Sequence, residues 1–231
     1  IVAKGSPDPC FLWPMEMIVP AQGELFGYIM PLRPKNYKSI VDLMKKRVNP
    51  SFYTLCRTAF NLTRGYQKLH AMGAKYQDIS FGNLFFNPDN GDVLICDNDN
   101  VTADKKNLGV LGKMRYMAPE IVVGDNLPDT HSDRFSLGII LFLTLCLGNP
   151  FEGAHLKKYD FVDEVSELEM FGTKPLFIMH KNLKSNRPIR GYHTSVIKRW
   201  PHLPIYIKEV FHITFVAGIK ERENGRIDTI S

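Results

Sequence analysis

The sequence predicts an α+β fold in which a small strand-bearing region leads into a larger, mainly helical one. Three patterns predict it. Two short apolar runs, Phe11 to Val19 and Leu25 to Leu32, stand near the start and are joined by Pro20-Ala21-Gln22-Gly23. A hairpin signal follows: Leu84-Phe85-Phe86 runs into Pro88-Asp89-Asn90-Gly91, and Val93-Leu94-Ile95-Cys96 runs back. Asn-Gly between apolar runs marks a tight turn because both residues tolerate positive φ. Elsewhere apolar residues recur at helical spacing, which is the primary signal for an amphipathic helix.

Each element follows from local chemistry. Ile1-Val2-Ala3-Lys4 reads as the exposed end of a helix, because Ser6-Pro7-Asp8-Pro9 stops any regular element at once. The two strands come next, and Asn36 to Lys46 reads as a short helix. In Phe52 to Met72, apolar or small residues fall at 52, 55, 56, 59, 62, 66 and 69, and Gly73 serves as C-cap. His70, at the tail of that stripe, reads as structural. Thr130 and Asp133 resemble a capping box for a helix from about Asp133 to Leu147 that ends at Gly148 and Pro150. Being apolar nearly all round, it should be a buried post. Leu203 to Ile219 is a further helix, with Pro204 in its first turn. No internal repeat or low-complexity segment interrupts the chain.

The bulk properties exclude several classes. At 231 residues the chain makes one large domain or two small ones, and 44% apolar and 23% charged residues are ordinary for a globular protein. The longest apolar run, Phe135 to Leu147, is about 13 residues, too short to span a bilayer, so no membrane association is expected. A net charge of +5 does not by itself argue for nucleic acid. Cys10, Cys56, Cys96 and Cys146 are scattered without metal-ligand spacing, as in reduced core thiols of a cytoplasmic protein. Between Met170 and Lys208 there is no Asp or Glu, while Lys174, Lys181, Lys184, Arg187, Arg190, Lys198, Arg199 and Lys208 are basic. A solvated face is the plain reading of such a run. The sharper one is a docking surface for an acidic or phosphorylated partner.

The chemistry concentrates in Tyr76-Gln77-Asp78-Ile79-Ser80-Phe81-Gly82-Asn83 and in Asp97, which arrives at the far end of the hairpin. One acid, a carboxamide and a second acid on neighbouring loops suit one base plus two oxygen ligands for a hard cation such as Mg²⁺. Taken singly, each Asp is as readily a turn residue.

The series Asp78-x-x-x-x-Asn83, Asp97-Asn98-Asp99, Ala118-Pro119-Glu120 and Asp133-Arg134-Phe135-Ser136-Leu137-Gly138 resembles the protein-kinase motifs in their proper order. More narrowly, Asp-Ile-Ser-Phe-Gly-Asn and Cys-Asp-Asn-Asp-Asn resemble bacterial kinase-like proteins that form triads with a von Willebrand factor A protein and a phosphatase. The resemblance implies a bilobal fold: residues 1–32 as the remnant of a truncated small β lobe (a helix end, two strands and a hinge) and 33–231 as the helical large lobe. It implies ATP and Mg²⁺, with transfer to Ser or Thr hydroxyls of a protein substrate. Asp78 would be the base, and Asn83 and Asp97 the metal ligands. Ile29, the Met30 carbonyl and the Leu32 N–H would meet the purine edge, although the local residues alone read as a strand end with a proline stop. Phe85 and Cys96 would line the adenine pocket. Asp133 would hold the catalytic loop from below, and Glu120 would pair with Arg226.

The sequence departs from that pattern in four places. No Gly-rich loop or strand lysine occurs in these residues, and Lys4 does not fit the lysine's role. Asn98 and Asp99 stand where the family has Phe and Gly. Ser80 takes the place of a lysine that faces the γ-phosphate, while Lys113 takes the place of the threonine that bonds it, so Lys113 is a candidate to supply the missing ammonium. Gln77 replaces the arginine that clamps a phosphate on the activation segment, where Thr102 and Tyr116 are the only hydroxyl acceptors; phosphorylation there is not expected to be the main switch. Two rivals stay open. One is a pseudokinase scaffold that binds nucleotide without transfer. The other is a small-molecule kinase of the aminoglycoside or choline type, which shares the Asp-x-Asp pattern but generally lacks Ala-Pro-Glu.

Overall fold

A computed structural model of the protein describes residues 5–19, 27–104, 109 and 112–226. Lys4 and the linker at 20–23 lie outside the described residues. The chain divides into two units: one holds the described residues up to Tyr76 and from Phe81 to Gly109, the other Gln77–Ser80 and those from Gly112 onward. Every strand among the described residues belongs to the first unit, and the second is helical. The α+β class stands.

In the first unit, β1 (Glu16–Ile18) and β2 (Gly27–Ile29) pair antiparallel with Glu16 opposite Ile29. The expected strand from Phe11 is therefore much shorter. Pro14 offers no N–H to a ladder, and the chain before it turns to another partner: Phe11 bridges Ile95, and the Leu12 N–H donates to the Ile95 carbonyl at 2.9 Å. β3 (Lys38–Ser39) leads directly into α1 (Ile40–Met44). That helix is shorter than the expected 36–46, because Lys38 pairs with Phe86 instead of joining the helix. Ser39 and Asp42 form a reciprocal capping box that fixes the start.

The long helix α2 (Phe52–Ala71) begins on Ser51, whose side chain accepts the Thr54 N–H. Its buried stripe is Leu55, Leu62, Tyr66 and Leu69, whereas Phe52 and Cys56 face out. Gly73 follows in the left-handed conformation, at φ +68°. Gly65 lets the helix approach the strands: a Cβ there would lie 2.7 Å from the Cys10 Sγ. β4 (Ala74–Lys75) pairs with β7 (Thr102–Ala103), while β5 (Leu84–Phe86) and β6 (Val93–Ile95) form the expected hairpin. Its loop is wider than a two-residue turn. Asn87 and Asp92 close it through an N–H···O bond of 2.8 Å, and of the Asn-Gly pair Gly91 alone takes positive φ.

The second unit is built on α3 (Pro119–Val122) and α4 (Thr130–Cys146). The cap of α4 is Asp129 with Ser132, one residue earlier than the Thr130–Asp133 pair expected. That shift frees Asp133 to turn inward, where it is 1% exposed. The helix ends on Leu147 in the left-handed conformation, before Gly148. α5 (Glu164–Leu168) and α6 (Thr194–Arg199) follow, then α7 (Ile205–His212), a π turn over Ile213–Ala217 and α8 (Gly218–Lys220). Pro204 caps α7 from outside its first turn. The core is aromatic: Phe135, Phe142, Phe151, Phe177, Phe211 and Phe215 meet in edge-on, tilted and stacked pairs 5.2–6.2 Å apart.

Candidate active site

Asn83 closes the turn Phe81–Asn83 that leads into β5, and Asp97 follows β6 by one residue beyond Cys96. The Cys96 N–H donates to the Asn83 carbonyl at 2.8 Å, which ties the two strand ends together. The Tyr76 hydroxyl donates to the Cys96 carbonyl from the other side. Asp97 adopts φ 59° and ψ 50°, a left-handed conformation unusual for a residue with a side chain. The tie sets a carboxamide and a carboxylate at adjoining chain ends.

That donor set fits Mg²⁺. Among the described residues no group of three or more His, Cys, Asp or Glu could hold a metal by itself. Mg²⁺ needs only one or two protein oxygens and keeps its other positions for water and phosphate. Asp97 and Asn83 are the residues that would hold it.

Around them, Phe85 is half-buried on β5, and the Arg33 guanidinium covers its ring at 4.3 Å from the centroid. Cys96 is half-buried, and burial pushes its thiol up to about 11, with Arg33 opposing and Asp97 adding to the rise. Tyr28 on β2 has its phenol raised by burial and then by the negative charges of Asp99 and Asp97. Ile29 ends β2 and accepts the Met15 N–H at 2.8 Å. Met30 and Leu32 lie beyond the strand, and Leu32 is 93% exposed.

In the other unit, Gln77–Ser80 carries Asp78. Gln77 is buried at φ +73°, and its N–H donates to the Asp133 Oδ1 at 3.0 Å. A loop residue forced into this conformation needs such an anchor, and Asp133 supplies it as the resemblance implied. Ile79 and Ser80 are buried, and Asp78 is half-buried. The returning segment passes close by: a Cβ on Gly112, whose φ is +87°, would lie 3.3 Å from the Gln77 carbonyl and 3.5 Å from the Asp78 Oδ1. Lys113 follows, exposed, ahead of the short turn Met114–Tyr116. The Ser80 Oγ is buried without a hydrogen-bond partner among the described residues.

The framework behind this loop is ionic. Arg226, 3% exposed, makes two bonds of 2.7 Å to the Glu120 carboxylate, and its guanidinium lies 4.8 Å from the Phe135 ring centroid. The expected pair is there. Thr102 and Tyr116 are both buried, at 8% and 3% exposure, and burial raises the Tyr116 phenol. Neither hydroxyl is presented for modification.

Sequence reasoning missed Tyr28 and Arg33, lone residues outside any motif that no spacing could have flagged. Asn98 stood out as a departure from the family pattern, but nothing in the sequence assigned it a role.

The protein kinase domain family matches residues 29–199 of the chain. Among curated proteins, a probable serine/threonine-protein kinase of Zea mays is 29% identical over 142 residues, which is 56% of this chain and 22% of that protein. A similar protein of Dictyostelium discoideum is 29% identical over 141 residues, 56% of this chain and 14% of its own length. The SNF-related serine/threonine-protein kinase of Homo sapiens is 32% identical over 137 residues, 58% of this chain and 16% of the relative. The chain thus spans less than a quarter of the length of each of these relatives.

Proposed function

The chain belongs to the protein kinase domain family, and from that premise we propose that it transfers the γ-phosphoryl group of ATP to Ser or Thr hydroxyls of a protein substrate. The observation that carries the reading is the Cys96 N–H···Asn83 bond of 2.8 Å, which tethers the chain ends bearing a carboxamide and a carboxylate. Phosphoryl transfer asks for positioning and charge neutralisation more than for covalent help.

In the proposed reaction the substrate hydroxyl oxygen forms a bond to the γ-phosphorus as the bond to the β–γ bridging oxygen breaks. The hydroxyl proton passes to the Asp78 carboxylate. Asn83 and Asp97 would hold Mg²⁺, which would supply charge neutralisation at the phosphate oxygens. Phe85 and Cys96 contact the base, a role that fits a thiol kept neutral by burial. Ile29, the Met30 carbonyl and the Leu32 N–H bind the purine edge. Lys113 supplies an ammonium to the γ-phosphate in place of the residue that Ser80 replaces. A partner rich in acidic or phosphorylated residues fits the 174–208 stretch. Lys174 there is paired with Glu169 at 3.0 Å, whereas Lys181, Lys184, Arg190 and Lys198 stand exposed.

Labelled ATP tests the whole reading. Autophosphorylation and transfer to a general acceptor protein should fall about 10²–10⁴-fold in Asp78→Asn, the range of a lost general base, with the thermal midpoint unchanged. Lys113→Ala should lower kcat in the same assay, and an unchanged kcat removes Lys113 from the mechanism. Charge reversal of Arg187 and Arg190 to Glu should slow phosphorylation of a true partner and spare the general acceptor. A wild-type chain that binds ATP without transferring phosphate would leave a nucleotide-binding scaffold. Transfer to an aminoglycoside or choline, and not to protein, would favour a small-molecule kinase.

A further inference from the structure

Asn98 is 1% exposed and follows Asp97 directly. Its side-chain Nδ2 donates to the Leu12 carbonyl at 2.8 Å and to the Ile95 carbonyl at 3.0 Å. The Ile95 carbonyl also accepts the Leu12 N–H at 2.9 Å, and the Ile95 N–H donates to the Cys10 carbonyl at 2.7 Å. One amide group therefore pins the turn Asn98–Asn100 to the end of β6 and to a segment 86 residues earlier in the chain.

The chemistry at this position is selective. Asn98 Oδ1 is buried and finds no donor among the described residues. A buried acceptor without a donor is unfavourable, so the residue is there for its NH₂ end. Leucine would fill the space and leave the Leu12 carbonyl without this bond. Aspartate would set a carboxylate against two carbonyl oxygens. The pin also sits where it matters most, one peptide away from the left-handed backbone of Asp97. An L residue holds that conformation only when its surroundings determine it.

We propose that Asn98 is a positioning residue: its amide locks the backbone of the loop so that the Asp97 carboxylate has a single orientation toward the divalent ion. The metal loop is then a fixed part of this chain and does not swing between states. The proposal rests on the reading of Asp97 as a metal ligand.

The test is Mn²⁺ titration of the full chain in the presence of ADP, followed by calorimetry, for the wild type, Asn98→Asp, Asn98→Ser, Asp97→Asn and Val196→Ala. The two Asn98 variants should weaken Mn²⁺ by about 10–100-fold, the usual effect of losing an outer partner of a metal ligand. Asn98→Ser, which keeps one donor, should be the milder. Metal-free ADP should bind all of them alike. Val196, fully buried in α6 of the second unit, serves as the control: Val196→Ala should lower the melting temperature and leave Mn²⁺ affinity unchanged. Should Asn98→Asp prove unfolded, Asn98→Ser is read alone, with hydrogen exchange at Asn98–Val101 expected to quicken. Wild-type Mn²⁺ affinity in a folded Asn98 variant overturns the lock while Asp97→Asn still abolishes binding. Wild-type affinity in Asp97→Asn overturns the metal assignment itself, and the proposal with it.

Discussion

Each unit sets a carboxylate against a cation, and the two pairs are built differently. In the first unit the Asp8 side chain is 3% exposed and meets the Lys68 Nζ at 2.6 Å, but the lysine is 48% exposed. In the second, Glu120 and Arg226 are 13% and 0% exposed, with two bonds across a planar fork. One pair is half wet. The other has been taken out of water at both ends, and neither partner can regain hydration when the other is lost. A buried pair is weak evidence of net stability, yet breaking it is costly. The contrast lies in the cation: Arg226 is buried together with its carboxylate, whereas Lys68 stays half in water.

The sharpest way to break the contrast is to remove one partner from the buried pair. Glu120→Ala leaves the Arg226 guanidinium buried with only the Gly218 and His131 carbonyls as acceptors. The expected loss is about 3–5 kcal/mol, read from urea unfolding of the full chain. The matching change in the first unit is Lys68→Met. There the Asp8 carboxylate keeps the Cys10 N–H at 2.9 Å, and the lost cation was already half-solvated. The loss should be smaller, about 1–2 kcal/mol. Equal losses in the two variants would mean that burial of the cation does not matter.

The same contrast decides what could be read from the sequence. The Glu120–Arg226 pair and the Asp133 anchor were legible because a family pattern fixes both partners. Hairpin, long helix and buried post were legible because their apolar periods are strong. The first strand was not: Pro14 redirects the chain before it, and the Phe11 bridge to Ile95 is a tertiary choice that no local pattern encodes. The α4 cap was misplaced by one residue because Thr130 and Asp129 are both good caps, and the inward turn of Asp133 decided between them. Asn98 was legible only as a departure. Its two bonds reach Leu12 and Ile95, and no spacing links those three positions.

Acid separates the two units by a smaller effect. Burial holds His212 down to about 4, with Lys181, His180 and Arg187 adding repulsion, and its ring packs against Phe177 at 5.3 Å and Trp200 at 6.1 Å. Its folded pKa lies below the unfolded value near 6.5, so the fold favours the neutral ring. Stability from this group is complete above about pH 6.5, falls as pH drops toward 4 and is level below that. Asp8 works at the other end. Burial alone would raise its carboxyl, but the bonds from Lys68 and Cys10 hold it below the usual value, so its contribution is kept above that value and lost only in stronger acid. At pH 5.5, therefore, the second unit has begun to pay for its histidine while the Asp8 pair is untouched. His212→Phe should recover under about 1 kcal/mol there, once partial exposure is discounted, and should recover nothing at pH 7.5. Melting curves at the two pH values read the difference. A gain of the same size at both would show that the phenyl ring packs better and that titration of His212 plays no part.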